Sequence, residues 1–450
     1  MALNLYNSSR VVSRDDQVIC GASRARYFPM VIQSGKGSCF TDLDGNDYID
    51  FSSSAAVLNT GHSHPRVLKA IKAQLDQYIH FSCDYLYAEP QVKLAEAICR
   101  IVPGDYKKKV SFGHSGSDAI DGAIKLARAY TKRPGIVSFM GAYHGSTFGA
   151  LSASAICHEM RRGIGPLLPG FQHLPYPNCF RCSLEHARST CGLACFSMLE
   201  EAFSTYIVPE ETAAILIEPI AGDMGFIEPP EAYMTALQRF CRKHGILLIA
   251  DEVQQGMGRT GRWFSFEHFN LEPDIVVMGK ALGSGLPISA VVAREEISNA
   301  LEMPAHLFTL QGNAVAAAAA LATIETIEEE RLIENAKMMG DFLKSRFRAL
   351  MKDYQVIGDV RGRGLSIGVE LLADRELKTP DPEAAVKITY ECFQKGLLML
   401  FLSSNVLRIQ PPLILDAATA EKAVDIVEGA VKAYSKNQLG DEALAVVKGW

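Results

Sequence analysis

No apolar run in this sequence is long enough to cross a bilayer. The longest small-apolar stretch, Ala314 to Ile327, is interrupted by Thr323, Glu325 and Thr326, and it falls short of the roughly 20 residues a membrane helix needs. A buried helix is expected there instead. Met1 to Met30 carries Arg10, Arg14, Asp15 and Asp16 and lacks the apolar core of a secretory signal, so nothing directs export. Excess positive charge is missing too: 45 Lys and Arg stand against 51 Asp and Glu, a formal net charge of -6. That balance leaves no basic field to gather nucleic acid or an anionic membrane. No internal repeat or low-complexity linker is present. The 11 cysteines are an odd number, and without a secretion signal they predict free thiols in a reducing compartment, the cytoplasm.

What is present is a large apolar fraction, 48% of 450 residues, enough for an extensive core and more than one domain. Between about residue 108 and residue 294, short apolar runs alternate with helical periodicity. Ile136 to Phe139, Ile215 to Ile220, Ile246 to Ala250 and Ile275 to Met278 read as strands buried on both faces of a parallel sheet. Ala236, Leu237, Phe240 and Cys241 form one stripe of a helix that ends near Gly245. Ligands of parallel sheets gather at the carboxyl ends of the strands, and here those ends carry Glu218, Asp251 and Lys280. Flanking this block, residues 31 to 51 predict a small hairpin turning at Asp44-Gly45-Asn46, and residues 330 to 436 alternate helices with short strands. The flanks are taken as one smaller domain. The division expected is residues 1–65 as an N-terminal contribution to the small domain, 66–328 as the large domain and 329–450 as the C-terminal small domain.

Two motifs carry chemistry. Ser111 to Arg128 is a strand end, a small-residue turn and a helix. Ser115 and Asp118 have capping-box spacing and Gly116 lets a ligand approach the backbone, so free amides and a positive helix end converge on a point suited to phosphate. An ordinary capped helix would read the same way. Asp251-Glu-Val-Gln-Gln-Gly-Met-Gly-Arg-Thr-Gly261 and Met278-Gly-Lys-Ala-Leu-Gly283 each follow a strand, placing an acid and an amine at neighbouring strand ends. A salt bridge at a strand edge is one reading. Pyridoxal 5'-phosphate (PLP) chemistry is the other: a carboxylate keeps the pyridine nitrogen protonated, and a lysine attaches the cofactor and moves protons.

From about Phe28 to Leu413 the chain resembles the class III aminotransferases of the fold type I PLP superfamily. Asp251, Gln254, Gly256, Gly258, Arg259, Gly261 and Lys280 fall in register with that family's long and specific signature. The resemblance implies an α/β fold in which a large PLP-binding domain, with a mainly parallel seven-stranded sheet, is joined by a smaller α+β domain. It further implies that Gly116 and Ser117 bind the phosphate, Tyr143 stacks on the pyridine ring, Asp251 pairs with its nitrogen, Gln254 touches its hydroxyl and Lys280 holds the cofactor. Thr309 matches a threonine that reaches the PLP phosphate of a neighbouring subunit, so a homodimer with shared sites follows, or a tetramer of such dimers. Arg408 matches the arginine that receives a substrate carboxylate, a task suited to its planar fork; a structural surface arginine is the alternative.

The protein decides whether a proton returns to the cofactor, giving transamination, or to Cα, giving inversion. Aminotransferases of the family usually read Glu-Pro-Val-Gln-Gly-Glu-Gly-Gly after the next strand, whereas this chain reads Glu218-Pro-Ile-Ala-Gly-Asp-Met-Gly225. Losing the Gln side chain at Ala221 and shortening Glu to Asp223 resembles the racemase branch of the family. Lys280 and Asp223 are then the two bases facing each other across Cα, with Asp223 as pocket organiser or partner of Arg408 the competing view. That resemblance implies inversion of nonpolar amino acids, isoleucine to D-allo-isoleucine above all, with Tyr85, Tyr87 and Tyr143 as aromatic candidates around the substrate. The rivals are a 4-aminobutyrate-type or ω-aminotransferase and, more remotely, a PLP-binding or thiol-metal protein without turnover.

Cys179, Cys182, Cys191 and Cys195 are irregularly spaced for zinc or an iron-sulfur cluster, and plain thiols without a metal are expected. His62 and His64 read as part of a turn before a helix. Arg361-Gly-Arg-Gly364 leads into a strand rather than a helix, so a turn is expected there and not a phosphate loop.

Overall fold

The computed structural model describes residues 3–25 and 27–449. The chain divides into two compact units. The larger comprises Arg66–Gly258 and Arg262–Glu329, and the smaller comprises the chain up to Pro65, Arg259–Gly261 and the chain from Glu330 onward.

The larger unit is built on a seven-stranded sheet. In chain order its strands are β1 (Lys108–Gly113), β2 (Gly135–Phe139), β3 (Phe171–Leu174), β4 (Thr212–Ile217), β5 (Leu247–Asp251), β6 (Ile275–Met278) and β7 (Ser289–Arg294), arranged β1-β7-β6-β5-β4-β2-β3. Neighbours from β6 through β3 run parallel, and β7 is antiparallel to both β6 and β1. Every residue of β4, β5 and β6 is buried, which is why these strands appear as unbroken apolar runs. The run expected at Ile215 to Ile220 instead starts at Thr212 and stops at Ile217, because Pro219 has no N–H for a ladder.

Helix α1 (Gly116–Thr131) follows β1, and its Ala119, Ile120, Ala123, Ile124 and Ala127 pack with Ile136, Leu216, Ile249, Val277 and Val291 in the sheet core. Helix α2 (Glu231–His244) closes on Gly245 in the left-handed region, φ +62°. Its buried face is Tyr233, Met234, Leu237 and Cys241. Ala236 and Phe240, expected in that face, are only half-buried, since the stripe turns toward the residues one helical step earlier. Helix α3 (Ala314–Glu329) is buried along most of its length, and its Thr323 and Thr326 hydroxyls donate to the carbonyls of Ala319 and Ala322, so the polar residues that interrupt its apolar run cost little. Among the described residues no helix is long and apolar enough to cross a membrane.

In the smaller unit, the hairpin expected over residues 31 to 51 is a three-stranded meander of Ile32–Lys36, Cys39–Asp42 and Asp47–Asp50, extended by Leu397–Leu398 in parallel with the last strand. The turn at residues 44–46 lies between its second and third strands, with Asp42 Oδ1 accepting from the amides of Asp44 and Asn46. A second sheet contains Ile357–Arg363, Ser366–Asp374, Val406–Ile409 and Leu400–Leu402. Residues 361–364 lead into its first hairpin turn.

Candidate active site

At the carboxyl ends of β4, β5 and β6 lies a cavity of about 190 Å³ lined by Gly116, Ser117, Tyr143, His144, Gly145, Glu218, Asp251, Val253, Gln254 and Lys280. Larger hollows exist on the protein, but this one coincides with the strand-end acids and amine. Six residues expected at the site, Gly116, Ser117, Tyr143, Asp251, Gln254 and Lys280, meet in it.

The capping box at the start of α1 is formed in both directions, Ser115 Oγ accepting from the Asp118 amide at 3.3 Å and Asp118 accepting from the Ser115 amide at 3.1 Å. Asp118 also accepts from Ser289 Oγ at 2.9 Å, which ties the helix start to β7. A side-chain carbon at Gly116 would lie 2.7 Å from Val253 Cγ1, so glycine is what allows the helix to begin against the β5 loop. The result is a rigid helix N-terminus opening into the cavity, an arrangement that favours an anion.

Asp251 ends β5 and is buried. Its Oδ1 accepts from the Val253 amide at 3.0 Å and its Oδ2 lies 2.7 Å from His144 Nδ1. His144 Nε2 is buried without a hydrogen-bond partner. Two fixed contacts thus aim one carboxylate at the cavity floor, with an unsatisfied polar atom beside it. His144 was not singled out by sequence reasoning, because its contact with Asp251 spans 107 positions; its position next to Tyr143 was the one available signal. Lys280 follows β6 on a backbone of φ +39°, a left-handed conformation that costs a residue with a side chain about 1 to 3 kcal/mol.

Glu218 braces the cavity from the end of β4. Its Oε1 accepts from the Tyr143 amide at 3.1 Å and its Oε2 from the Gly222 amide at 2.8 Å. Burial, reinforced by the charge of Asp251, pushes its carboxyl up to about 7, against the opposing pull of His144. Asp223 is buried in the loop after β4, and its Oδ1 accepts from Gln254 Nε2 at 3.1 Å. Asp223 therefore contacts a cavity residue without itself lining the cavity.

The donor set fits PLP. It offers helix-start amides for a phosphate, a buried carboxylate oriented by His144 for a pyridinium nitrogen, the Tyr143 ring, and a lysine. The orphaned His144 Nε2 and the anion-favouring helix start are what such a polar ligand would complete.

Three expected residues of the larger unit, Tyr85, Tyr87 and Thr309, lie elsewhere, Tyr87 being fully exposed. Tyr85 is 79% exposed and does not line this cavity, because residues 80–87 run over the surface without packing beneath a core element. Thr309 is also exposed, and its carbonyl lies 3.0 Å from His80 Nε2. In the smaller unit, Arg408 sits buried on Val406–Ile409, its Nε donating to Gln410 Oε1 at 2.5 Å; it is not a surface arginine. His62 Nε2 is 2.8 Å from Asp50 and His64 Nε2 is 3.1 Å from Glu330. Cys179, Cys182, Cys191 and Cys195 are half-buried thiols, and burial pushes those of Cys179 and Cys195 up. Among the described residues no group of three or more His, Cys, Asp or Glu side chains is arranged to hold a metal.

Comparison with known proteins shows the family. Residues 20–431 match the model of the aminotransferase class-III family. Leucine/methionine racemase of Thermococcus litoralis is 43% identical, over 98% of this chain and 99% of its own length. Isoleucine 2-epimerase of Lentilactobacillus buchneri is 41% identical over 97% of both. Aminotransferases are also among the relatives, such as 5-aminovalerate aminotransferase of Pseudomonas aeruginosa, 38% identical over 89% of this chain and 92% of that one. Among solved structures, an amine transaminase from an uncultivated Pseudomonas species in its PLP-bound form superposes with a TM-score of 0.84 at 31% identity, covering 93% of this chain and 97% of the other.

Proposed function

Since the chain belongs to the class III aminotransferase family and its cofactor is PLP, we propose that it inverts Cα of nonpolar amino acids, interconverting L-isoleucine and D-allo-isoleucine. The observation that carries this reading is Asp223: a buried carboxylate in the loop after β4, joined by one hydrogen bond to a residue that lines the cavity with Lys280. Names of the relatives with 41–43% identity point the same way.

Bound in the cavity, PLP supplies an electron sink for the bonds at the substrate's α-carbon. Everything else falls to the chain. Amides of Gly116 and Ser117 would hold the phosphate, and Tyr143 and Gln254 would hold the ring. Asp251, fixed by His144 and the Val253 amide, keeps a proton on the ring nitrogen. Arg408, buried in the smaller unit, has the planar fork that suits a carboxylate. Lys280 removes or returns the α-proton on one face and Asp223 does so on the other, a division of labour that acid-base catalysis rewards with about 10² to 10⁴ in rate.

Residues 78–87 and 303–310 support a homodimer. Ile79, Phe81, Tyr85, Leu86, Tyr87, Met303 and Leu310 are all more than half exposed, and large apolar side chains gathered in two adjoining segments are what a protein-protein contact covers. The occupant we assign is a second copy of this chain, with Thr309 and Tyr85 serving the partner's cavity. Eleven free thiols suit the cytoplasm.

The test is turnover in heavy water with PLP and no keto acid. Conversion of L-isoleucine to D-allo-isoleucine carrying deuterium at Cα is expected, and Asp223→Asn should keep PLP while losing about 10² to 10⁴ of the inversion rate. Strict dependence on a keto acid acceptor would sink the reading in favour of an aminotransferase, the alternative kept open by the 5-aminovalerate relative.

A further inference from the structure

The main chain of the loop after β4 is closed on itself. Ala221 and Ile227 exchange backbone hydrogen bonds of 3.0 and 3.1 Å, and the amides of Gly225 and Phe226 both donate to the Gly222 carbonyl. Glu218 holds the Gly222 amide from the other side. These contacts fix where the Asp223 backbone is, but none of them sets the direction of its carboxylate. A hydrogen bond that bears on that direction comes from Gln254 Nε2 at 3.1 Å, on the loop that follows β5.

Gly222 shows how closely the two loops are fitted. A side-chain carbon built there would lie 2.3 Å from Gln254 Oε1, so any other residue would push the amide off the loop and away from Asp223. Gln254 is itself buried and lines the cavity beside Lys280 and Asp251. The amide oxygen lies over Gly222 while the amide nitrogen bonds Asp223, an orientation that only the donor end can satisfy because a carboxylate accepts and does not donate. At position 221, where the family pattern carries a glutamine, this chain has Ala221, so no side-chain amide from position 221 can do the same job.

We infer that Gln254 is a positioning residue for the second base: it holds the Asp223 carboxylate toward the substrate, and through it the choice of inversion is built into the β5 loop. This rests on the two-base reading given above. A hydrogen bond to a charged acceptor is among the stronger ones in a buried site, and losing it corresponds to about a 10-fold to 100-fold change. Beside any contact with the cofactor, which both faces of Cα share, Gln254 would then act through Asp223 on one face, an asymmetry that a purely structural or cofactor-holding residue does not produce.

The experiment uses holoenzyme at saturating PLP in heavy water, starting separately from L-isoleucine and from D-allo-isoleucine, and follows deuterium at Cα both in recovered substrate and in product. The variants are Gln254→Met, which keeps the bulk and removes the donor, and Gln254→Ala. Inversion is expected to fall about 10-fold to 100-fold. Deuterium wash-in without inversion should fall less from the enantiomer whose α-proton Lys280 removes than from the other, where it falls together with inversion. An equal fall from both enantiomers overturns the inference. Asp223→Asn, run alongside, separates the two claims: if it too lowers exchange equally from both enantiomers, the two-base reading has failed; if it is one-sided while the Gln254 variants are not, only the role of Gln254 has failed. A readout independent of turnover is the crystal structure of the Gln254→Met protein without PLP, in which the Asp223 side chain should leave its present rotamer. An unchanged rotamer there also counts against the inference, and the melting temperature of each variant reports whether it folds.

Discussion

Two regions of the larger unit reverse the usual rule for what lies inside and outside a protein, in opposite directions. The strand-end region buries titratable side chains: Glu218, Asp223, Asp251 and His144 are each at most 5% exposed. Residues 78–87 and 303–310 do the opposite and leave tyrosines, a phenylalanine and leucines in solvent. In the first region the cost of burial is offset by hydrogen bonds from the backbone and between the side chains themselves, which makes it rigid and self-contained. In the second, His80 Nε2 meets the Thr309 carbonyl, and just past that segment Gln311 bonds Asp84 and Asn313 the Ile79 carbonyl, while the apolar faces remain uncovered. A buried polar cluster asks for a polar ligand, and an exposed apolar one asks for another protein surface. The difference separates what one chain completes alone from what we assign to two.

The comparison can be broken at either end. The largest effect is expected at the cavity: Lys280→Ala should lower turnover by about 10⁴-fold, the upper end of acid-base catalysis, and abolish the visible absorbance of lysine-bound cofactor; retained turnover would show that the amine is not the acting group. Next comes the surface. Leu310→Glu combined with Tyr87→Glu should weaken self-association by about 10²-fold or more, since each buried side chain of this size contributes about 1.5 to 3 kcal/mol, and sedimentation equilibrium should show monomers with impaired turnover. A fully active monomer would mean that each chain completes its own site. Smaller again is His144→Leu, which removes one of the two contacts orienting Asp251. Cofactor titration should give an affinity lowered by about 10-fold, with the oligomer unaffected.

Legibility differed between the same kinds of place. Strands β4, β5 and β6 could be read because burial on both faces leaves an uninterrupted apolar signal. Strand β3, at the sheet edge with one of its four residues buried, carries no such run and went unnoticed, and the exposed Ile32–Lys36 was read as part of a two-stranded hairpin and not as a strand of its own. In the cavity, residues marked by local chemistry were legible: Gly116 by its turn, Asp251 and Lys280 by their place after a strand. His144 was not, since its function depends on a partner brought near only by the sheet. Nor did any pattern signal that Arg259–Gly261 belongs with the smaller unit, where the fully buried Arg259 donates to the carbonyls of Leu365 and Pro411. A charged residue in a glycine-rich loop reads as solvent-exposed, and only tertiary structure supplies the carbonyls that satisfy it.

The smallest effect tests the rigidity claimed for the cavity. Glu218 has its carboxyl pushed up to about 7, chiefly by burial, so the folded protein retains a proton that the unfolded chain releases above about pH 4.5. The stability linked to that proton is present in full below pH 4.5 and fades as pH rises through 7. Measured without PLP, the melting temperature should therefore fall between pH 5 and pH 8. Glu252, pushed up to about 8 by burial, adds a fall of the same sign. Glu218→Gln stays neutral throughout and can still accept from one of the two amides that Glu218 now serves, so its melting temperature should start roughly 1 to 3 °C lower at pH 5, on the scale of a lost hydrogen bond, and decline less steeply. The two curves should approach each other toward pH 8. Parallel curves would mean that Glu218 is already ionised when folded, and that its bonds to Tyr143 and Gly222 carry the full cost of a buried charge.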